Sequence, residues 1–399
     1  MKKKTQDNET GPEFLQSLKA NLKGVPFDTL TSYKDFFVSG DKVPTGSVIF
    51  DIYLDGGFRC GVSRFIGEAE HGKTANALQW AKNWLETIDN SFVLYINSEG
   101  RLTKELISKS GINTSEDRFC VWTHNVYEDI AEAISELIYN NDSKVRYFFV
   151  IDSLDAVVTK DDIEKKMGDS KTVAGGARLG SFFLKKTSVR IGARGHHLML
   201  LSQTRMKMNS RGVGMVSTTA SGGKAVEFFS SLTGQIQVIY PGLQGSLIYE
   251  DRNNPKSKPI GHYFTVLFKK TFHERTHERI GIPIKYGHGV WHEQECLDLC
   301  LAYQYIRKSG AGWYEFSDSI LEILEKHGGC GDEEMIKKHH GEQKVIDFLE
   351  NSPKITKIIL DYIKEMCIES KSTLSETVRE DDGDIFGSED NKKGKKKLD

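Results

Sequence analysis

The stretch Gly67-Glu68-Ala69-Glu70-His71-Gly72-Lys73-Thr74 constrains this chain more than any other. It is an unbroken G-x-x-x-x-G-K-[ST] loop. Before it lies the apolar run Val62-Ser63-Arg64-Phe65-Ile66, which reads as a buried strand, and after it a helix-like segment from Ala75 to Leu85. Glycines let the backbone curl so that successive N–H groups point inward at phosphate oxygens, at the positive end of a helix. Lys73 can reach the β- and γ-phosphates, and the Thr74 hydroxyl can hold Mg²⁺. This setting outweighs a chance glycine-rich turn, and the eight loop residues are read as a nucleoside triphosphate site.

Of the 399 residues, 28% are charged and 38% hydrophobic, and the formal net charge is −2. That composition is globular, and no global basicity announces a nucleic acid, so any polyanion site must be local. Met1-Lys2-Lys3-Lys4 runs into the polar residues Thr5 to Glu9 with no apolar stretch behind it, so no signal peptide is expected. No window approaches a membrane span. The six cysteines form no disulfide framework, which fits a reducing cytoplasm. Cys296, Cys300, His327 and Cys330 could ligate zinc. However, Cys296 and Cys300 also follow the apolar face of a helix, and packing is the preferred reading.

From Val43 to about Val290 strand-like runs alternate with helical segments, the pattern of a parallel sheet covered by helices. The runs are Val62–Ile66, Phe92–Ile96, Tyr147–Ile151, Leu198–Ser202, Gln235–Tyr240 and Tyr263–Phe268. Helices are expected at Ala75–Leu85, Tyr127–Tyr139 and Ala177–Ala193. The polar, glycine-bearing segments 164–176 and 205–223 are too long for ordinary connections and read as functional loops. Upstream, Phe14, Leu15, Leu18 and Leu22 mark an amphipathic helix over residues 12–23, too short to be stable alone. Residues 291–370 read as short helices (Cys296–Lys308, Ser319–Lys326, Glu342–Asn351, Ile355–Cys367), a small second domain. Residues 371–399 form a charged tail, acidic at 380–384 and basic at 392–397, expected to be disordered.

Tyr147-Phe148-Phe149-Val150-Ile151-Asp152 is a continuous apolar strand ending in a carboxylate, the usual second Mg²⁺ anchor beside a phosphate loop. Leu94-Tyr95-Ile96-Asn97-Ser98-Glu99 is another. Glu99 is either a general base that polarises the attacking water or a solvated helix cap, and the residues alone leave both open.

Together these elements resemble the RecA recombinase family. Thr45-Gly46-Ser47-Val48-Ile49-Phe50-Asp51 with Gly56-Gly57-Phe58 is similar to the family's entry to the nucleotide strand. Ile151-Asp152-Ser153 through Gly168-Asp169-Ser170 runs in the family's register without a gap to Ala177-Arg178. Ser202-Gln203-Thr204-Arg205-Met206-Lys207-Met208 resembles the opening of its second DNA-binding loop, and Ser221-Gly222-Gly223-Lys224-Ala225-Val226-Glu227-Phe228-Phe229 its close. The likeness covers about residues 11–370. Three features depart from it: the loop interior Glu68-Ala69-Glu70-His71, where the family has small residues, Gly100 after Glu99, and Lys269 and Lys270 being adjacent.

The resemblance implies an α/β fold. Residues 1–30 would be a subunit-docking segment, with an N-terminal polymerisation helix. Residues 31–290 would be a RecA-type P-loop core with a mainly parallel twisted sheet, and residues 291–370 a small helical C-terminal domain. It implies that Lys73, Thr74 and Asp152 handle ATP and Mg²⁺, the last two as metal ligands. It implies that Glu99 activates water, that Gln203 senses the γ-phosphate, and that Lys269 and Lys270 reach the ATP of the adjacent subunit. Arg178, Arg205, Lys207, Arg211, Gly222, Gly223 and Lys224 would meet DNA, and Met208 would wedge between bases. No acidic residue occurs between Arg205 and Lys224, so this segment can lie on a phosphodiester backbone without reading bases. The implied activity is DNA-dependent ATP hydrolysis between subunits of a helical filament on single-stranded DNA, with strand exchange into a homologous duplex. Implied partners are single- and double-stranded DNA, further copies of the chain, single-strand-binding and loader proteins, and no membrane. The implied location is the cytoplasm of a bacterial or phage-infected cell. The rival readings are a ring-forming hexameric helicase and a non-catalytic DNA-binding regulator.

Overall fold

The computed structural model describes residues 42–381, apart from 142–143, 166–174, 208–216, 221–222, 238–246, 253, 273–275, 311 and 329–336. The chain begins with α1 (Val48–Tyr53), β1 (Gly61–Gly67), α2 (Lys73–Thr87), β2 (Ser91–Asn97), α3 (Lys104–Ser110), β3 (Phe119–Trp122), α4 (Tyr127–Tyr139) and β4 (Arg146–Asp152). It continues through α5 (Lys160–Glu164), α6 (Gly175–Ala193), β5 (His197–Lys207), β6 (Ser217–Ala220), α7 (Gly223–Phe229), β7 (Leu232–Ile236) and β8 (Leu247–Tyr249). Then come β9 (Pro259–Lys270), β10 (Arg279–Lys285), β11 (Gly289–Val290), α8 (His292–Ala302), β12 (Ile306–Ser309) and β13 (Trp313–Phe316). The last elements are α9 (Asp318–Lys326), β14 (Lys338–His340), α10 (Glu342–Asn351) and α11 (Pro353–Asp381).

The main sheet runs β11-β10-β9-β7-β1-β5-β4-β2-β3, with β6 on β5 and β8 on β9. From β7 to β3 every pairing is parallel. All seven positions of β1 are buried, as expected of a strand covered on both faces. Alternation along β4 divides the core: Phe148 and Val150 face the layer of α2, while Phe149 and Ile151 face α4 and α6. On the α2 side the rings of Phe58 and Trp80 stack 4.2 Å apart at 3°. On the other side Ile130, Ile134, Ile138, Phe183 and Leu184 pack over Val62, Leu198 and Leu200.

Four expectations change. The run at Gln235–Tyr240 lies further on than its strand, because β7 starts at Leu232, where Leu232, Gly234 and Ile236 alternate into the core; residues 238–240 lie outside the described residues. The run at Tyr263–Phe268 is a strand, but it pairs antiparallel with β7 and so leaves the parallel set. Segment 205–223 opens and closes as an antiparallel ribbon, Thr204 opposite Ala220 and Lys207 opposite Ser217. The part from 291 onward is mainly helical, as expected, but also carries a small antiparallel sheet. The helix expected to reach Lys308 ends at Ala302, and Gln304 takes a left-handed backbone (φ 61). Ile306–Ser309 then joins β13 and β14 in an antiparallel sheet.

Cys296 and Cys300 are fully buried in the second core with Leu297, Ile306, Phe316, Ile320 and Ile363. Among the described residues no group of three or more His, Cys, Asp or Glu is placed to hold a metal ion, and Cys330 lies outside them. α11 continues to Asp381, past residue 371 where the tail was expected to begin. The N-terminal helix expected at 12–23 and the rest of the tail lie outside the described residues.

Candidate nucleotide and strand-contact site

β1 delivers Gly67 to the C-terminal edge of the parallel strands, and the loop passes through Gly72 into α2. Gly72 has φ 83, and a Cβ there would lie 3.1 Å from the Phe264 ring, so glycine is required on both counts. Glu70, one of the residues departing from the family pattern, takes a left-handed backbone at φ 65. Lys73 is buried, and its Nζ donates to the carbonyls of Gly67 (3.0 Å) and Glu68, so it is folded onto the rim of the loop. Thr74 Oγ1 donates to Asp152 Oδ2 at 2.7 Å, joining the start of α2 to the end of β4.

Glu99 lies over the same strand ends. The amides of Ser98 and Glu99 donate to the Asp152 carbonyl at 3.0 and 3.2 Å. Glu99 Oε1 accepts from Gln203 Nε2 at 2.9 Å and from the Ser153 hydroxyl. Gln203 sits opposite Gly67 in the β1–β5 register, and its own amide donates to Asp155 Oδ2 at 2.6 Å. Ser98, Glu99, Arg101, Asn125, Asp155 and Gln203 line a cleft of about 490 Å³. The helix-cap alternative for Glu99 finds no support here, because it is the Thr103 side chain that caps α3.

Electrostatics agree with a site built for a cation. Burial pushes the Asp152 carboxyl above its usual range, against hydrogen bonds from Tyr95 and Thr74 that pull it down. Burial likewise lowers Lys73, opposed by Asp152, Glu99, Asp155 and Glu68. One buried ammonium thus faces several carboxylates, a surplus of negative charge that a divalent ion would offset. Mg²⁺ is commonly held by one or two carboxylates together with phosphates and water, so Thr74 and Asp152 form a suitable donor pair.

Sequence reasoning missed four participants. Tyr95 donates to Asp152 Oδ2 at 2.6 Å, Ser153 binds Glu99, Asp155 anchors the Gln203 amide, and Arg101 stands 3.7 Å from Glu99. Tyr95 had a readable signal, a hydroxyl inside a strand that would otherwise be apolar. The segment Thr45–Asp51 works as a tie between the core and the C-terminal elements. Asp51 accepts from Thr45 (2.7 Å) and from Lys364 of α11 (2.7 Å), while Ser47 donates to Glu295.

The residues expected at DNA are spread over β5, α6 and α7. Arg178 is exposed on α6, and Gly223 and Lys224 are exposed at the start of α7. Arg205 and Lys207 lie on β5 where it pairs with β6. Met208, Arg211 and Gly222 lie outside the described residues. Lys269 is exposed at the end of β9. Lys270 caps α7, donating to the carbonyls of Glu227 (3.3 Å) and Phe228 (2.7 Å) beside the exposed Phe228 ring. Among the described residues no helix is long and apolar enough to cross a membrane.

A family model, the RecA N-terminal domain, matches residues 31–249. "Protein RecA" of Acidothermus cellulolyticus is 30% identical over 284 residues, covering 70% of this chain and 76% of that protein. "Protein RecA" of Kineococcus radiotolerans is 29% identical over 283 residues, 70% and 75% of the two chains. That of Borrelia duttonii is 27% identical over 359 residues, 88% and 86%. The matched domain contains the phosphate loop, Glu99, Asp152 and Gln203, and the chain belongs to the RecA family.

Proposed function

We propose that the chain is an ATP-dependent recombination and repair protein that assembles on single-stranded DNA as a helical filament and exchanges strands with a homologous duplex. The observation that carries this reading is the Gln203–Glu99 hydrogen bond at the mouth of the phosphate loop. The residue assigned here to activate water and the strand that runs into segment 205–223 are thereby joined.

In this reading Gly67–Thr74 hold the phosphates through the loop amides, with Lys73 at the β- and γ-phosphates and Thr74 and Asp152 holding Mg²⁺. Bound Mg-ATP would supply the phosphoryl group and part of the charge neutralisation for its transfer. Lys73 then exchanges its loop carbonyls for phosphate oxygens. Glu99 takes a proton from the attacking water, and Gln203, moving with the γ-phosphate, transmits its presence to β5. Lys269 and Lys270 would complete the charge across a subunit interface. Arg178, Arg205, Lys207, Met208, Arg211, Gly222, Gly223 and Lys224 would hold DNA, chiefly by its backbone.

The proposed organisation is a docking segment at 1–30, a core at 31–290, a small C-terminal domain at 291–370 and a charged tail beyond, in a cytoplasmic protein acting with single-strand-binding and loader proteins. Similarity to proteins named RecA favours strand exchange over the ring-forming motor. Electron microscopy with single-stranded DNA and a non-hydrolysable ATP analogue tests it: open filaments are expected, and closed hexamers would overturn it.

A further inference from the structure

Tyr95 stands in β2 opposite Val150 of β4, and Asp152 lies two residues further along that strand. Side chains alternate along a strand, so Tyr95, Val150 and Asp152 share one face, and an aromatic side chain is long enough to reach a diagonal neighbour. The Tyr95 ring is fully buried in the core layer of α2, with Leu78, Ala81 and Val150. Its hydroxyl donates to Asp152 Oδ2 at 2.6 Å, and Thr74 Oγ1 donates to the same oxygen at 2.7 Å. Burial, then the charge of Asp152, pushes the Tyr95 hydroxyl well above its usual range, so it keeps its proton and remains a donor. Phenylalanine would fill the same space without the cost of burying a hydroxyl, so the bond to Asp152 is what the tyrosine adds.

Two hydrogen bonds on one carboxylate oxygen use both of its lone pairs. Oδ1 is then the oxygen that Asp152 can offer to a cation. Thr74 gives its hydroxyl hydrogen to Asp152, so the lone pairs of its own oxygen are left for the ion. Such a set suits Mg²⁺, which keeps several waters and takes single oxygens from one or two carboxylates. It suits Ca²⁺ less, because that larger ion takes more protein oxygens, often both oxygens of one carboxylate. We infer that Tyr95 is a positioning residue for the divalent ion: it fixes Asp152 as a one-oxygen ligand and so favours Mg²⁺ over Ca²⁺ beside the nucleotide. Partners that orient a metal ligand act on affinity although they never touch the metal.

The inference rests on the proposed binding of Mg-ATP at the phosphate loop, and metal-free conditions separate the two. Affinity for a non-hydrolysable ATP analogue would be measured by calorimetry on the full chain and on Tyr95→Phe, in EDTA, in Mg²⁺ and in Ca²⁺. The wild type should bind most tightly in Mg²⁺, less tightly in Ca²⁺ and most weakly in EDTA. Tyr95→Phe keeps the ring and removes only the donor. In EDTA it should bind as the wild type does, which also shows that the loop remains folded. In Mg²⁺ it should lose about ten-fold or more, the scale on which losing the partner of a metal ligand acts. In Ca²⁺ the loss should be smaller or absent, because the lone pair freed from Tyr95 is open to the larger ion. A wild type without preference between the metals, an unchanged affinity of the variant in Mg²⁺, or equal losses in Mg²⁺ and Ca²⁺ would overturn the inference alone. So would an equal loss in all three conditions, which would make Tyr95 a support of the loop rather than of the metal ligand. Failure of the wild type to bind the nucleotide in any of the three would overturn the phosphate-loop reading with it.

Discussion

Gln203 Nε2 donates to Glu99 Oε1 at 2.9 Å, joining a residue just beyond the end of β2 to one within β5. The bond holds the carboxylate away from free rotation and links it to the strand that pairs with β6. A water-activating carboxylate loses its function, but not its shape, as an amide. Glu99→Gln should therefore bind ATP as the wild type does while turning it over about a hundred-fold more slowly or worse. Gln203→Met, which keeps length and removes the donor, should retain basal hydrolysis but lose its stimulation by single-stranded DNA. Steady-state ATPase assays with and without DNA decide both. Wild-type turnover in Glu99→Gln would remove Glu99 from the chemistry.

Lys73 donates its ammonium hydrogens to the Gly67 and Glu68 carbonyls of the loop. That arrangement suits a side chain waiting for phosphate. Lys73→Ala should cut turnover by a hundred- to a thousand-fold, as loss of a preorganised charge at the reacting group does. It should leave thermal stability within about 1 kcal/mol, because the buried ammonium is only partly compensated. A fall in melting temperature matching the fall in activity would show that the lysine is structural.

The phosphate loop, both carboxylate-ended strands and three helices of the core were legible because each depends on local signals. Continuous apolar runs mark doubly covered strands, and a fixed glycine spacing marks the loop. Tyr127–Tyr139 was read to the residue because its buried positions repeat with the helical period. The antiparallel set β9–β11 was not legible as such, since pairing direction is fixed by which strand a segment meets, not by its own residues. The same limit hid Asp155, whose role depends on Gln203 arriving from elsewhere in the chain. The strand at Ile306–Ser309 was absorbed into a helix because Ile-Arg-Lys-Ser carries no strong preference, and its pairing with Trp313–Phe316 decides its form.

Residues 1–24 carry an apolar stripe, Phe14, Leu15, Leu18 and Leu22, on a segment too short to bury it internally. Deleting them should leave the core folded, while long filaments on single-stranded DNA disappear. Filament length by electron microscopy is the measurement. Long filaments from the truncated chain would mean that the stripe packs on its own core.

Asp298 of α8 lies where the second core meets β9. It accepts from Tyr263 at 2.9 Å and from Gln294 at 2.8 Å. Burial raises its pKa from 3.8 to about 6, against the pull of those two hydrogen bonds, with Glu342 adding to the rise and Arg252 opposing it. A carboxyl whose pKa is higher folded than unfolded favours the folded state when protonated. Its contribution is therefore complete below about pH 4 and is lost as pH rises through about 6. At about 1.4 kcal/mol for each pH unit between the two values, the loss is at most about 3 kcal/mol. Asp298→Asn keeps the shape, stays neutral and can still accept one of the two hydrogen bonds. Urea denaturation at a series of pH values should find the variant more stable than the wild type at pH 8, by up to that amount. The advantage should shrink as pH falls and vanish, or reverse through the lost hydrogen bond, by pH 4. A stability difference that stays constant between pH 4 and pH 8 would show that Asp298 titrates like an exposed carboxylate and that its burial costs the fold nothing.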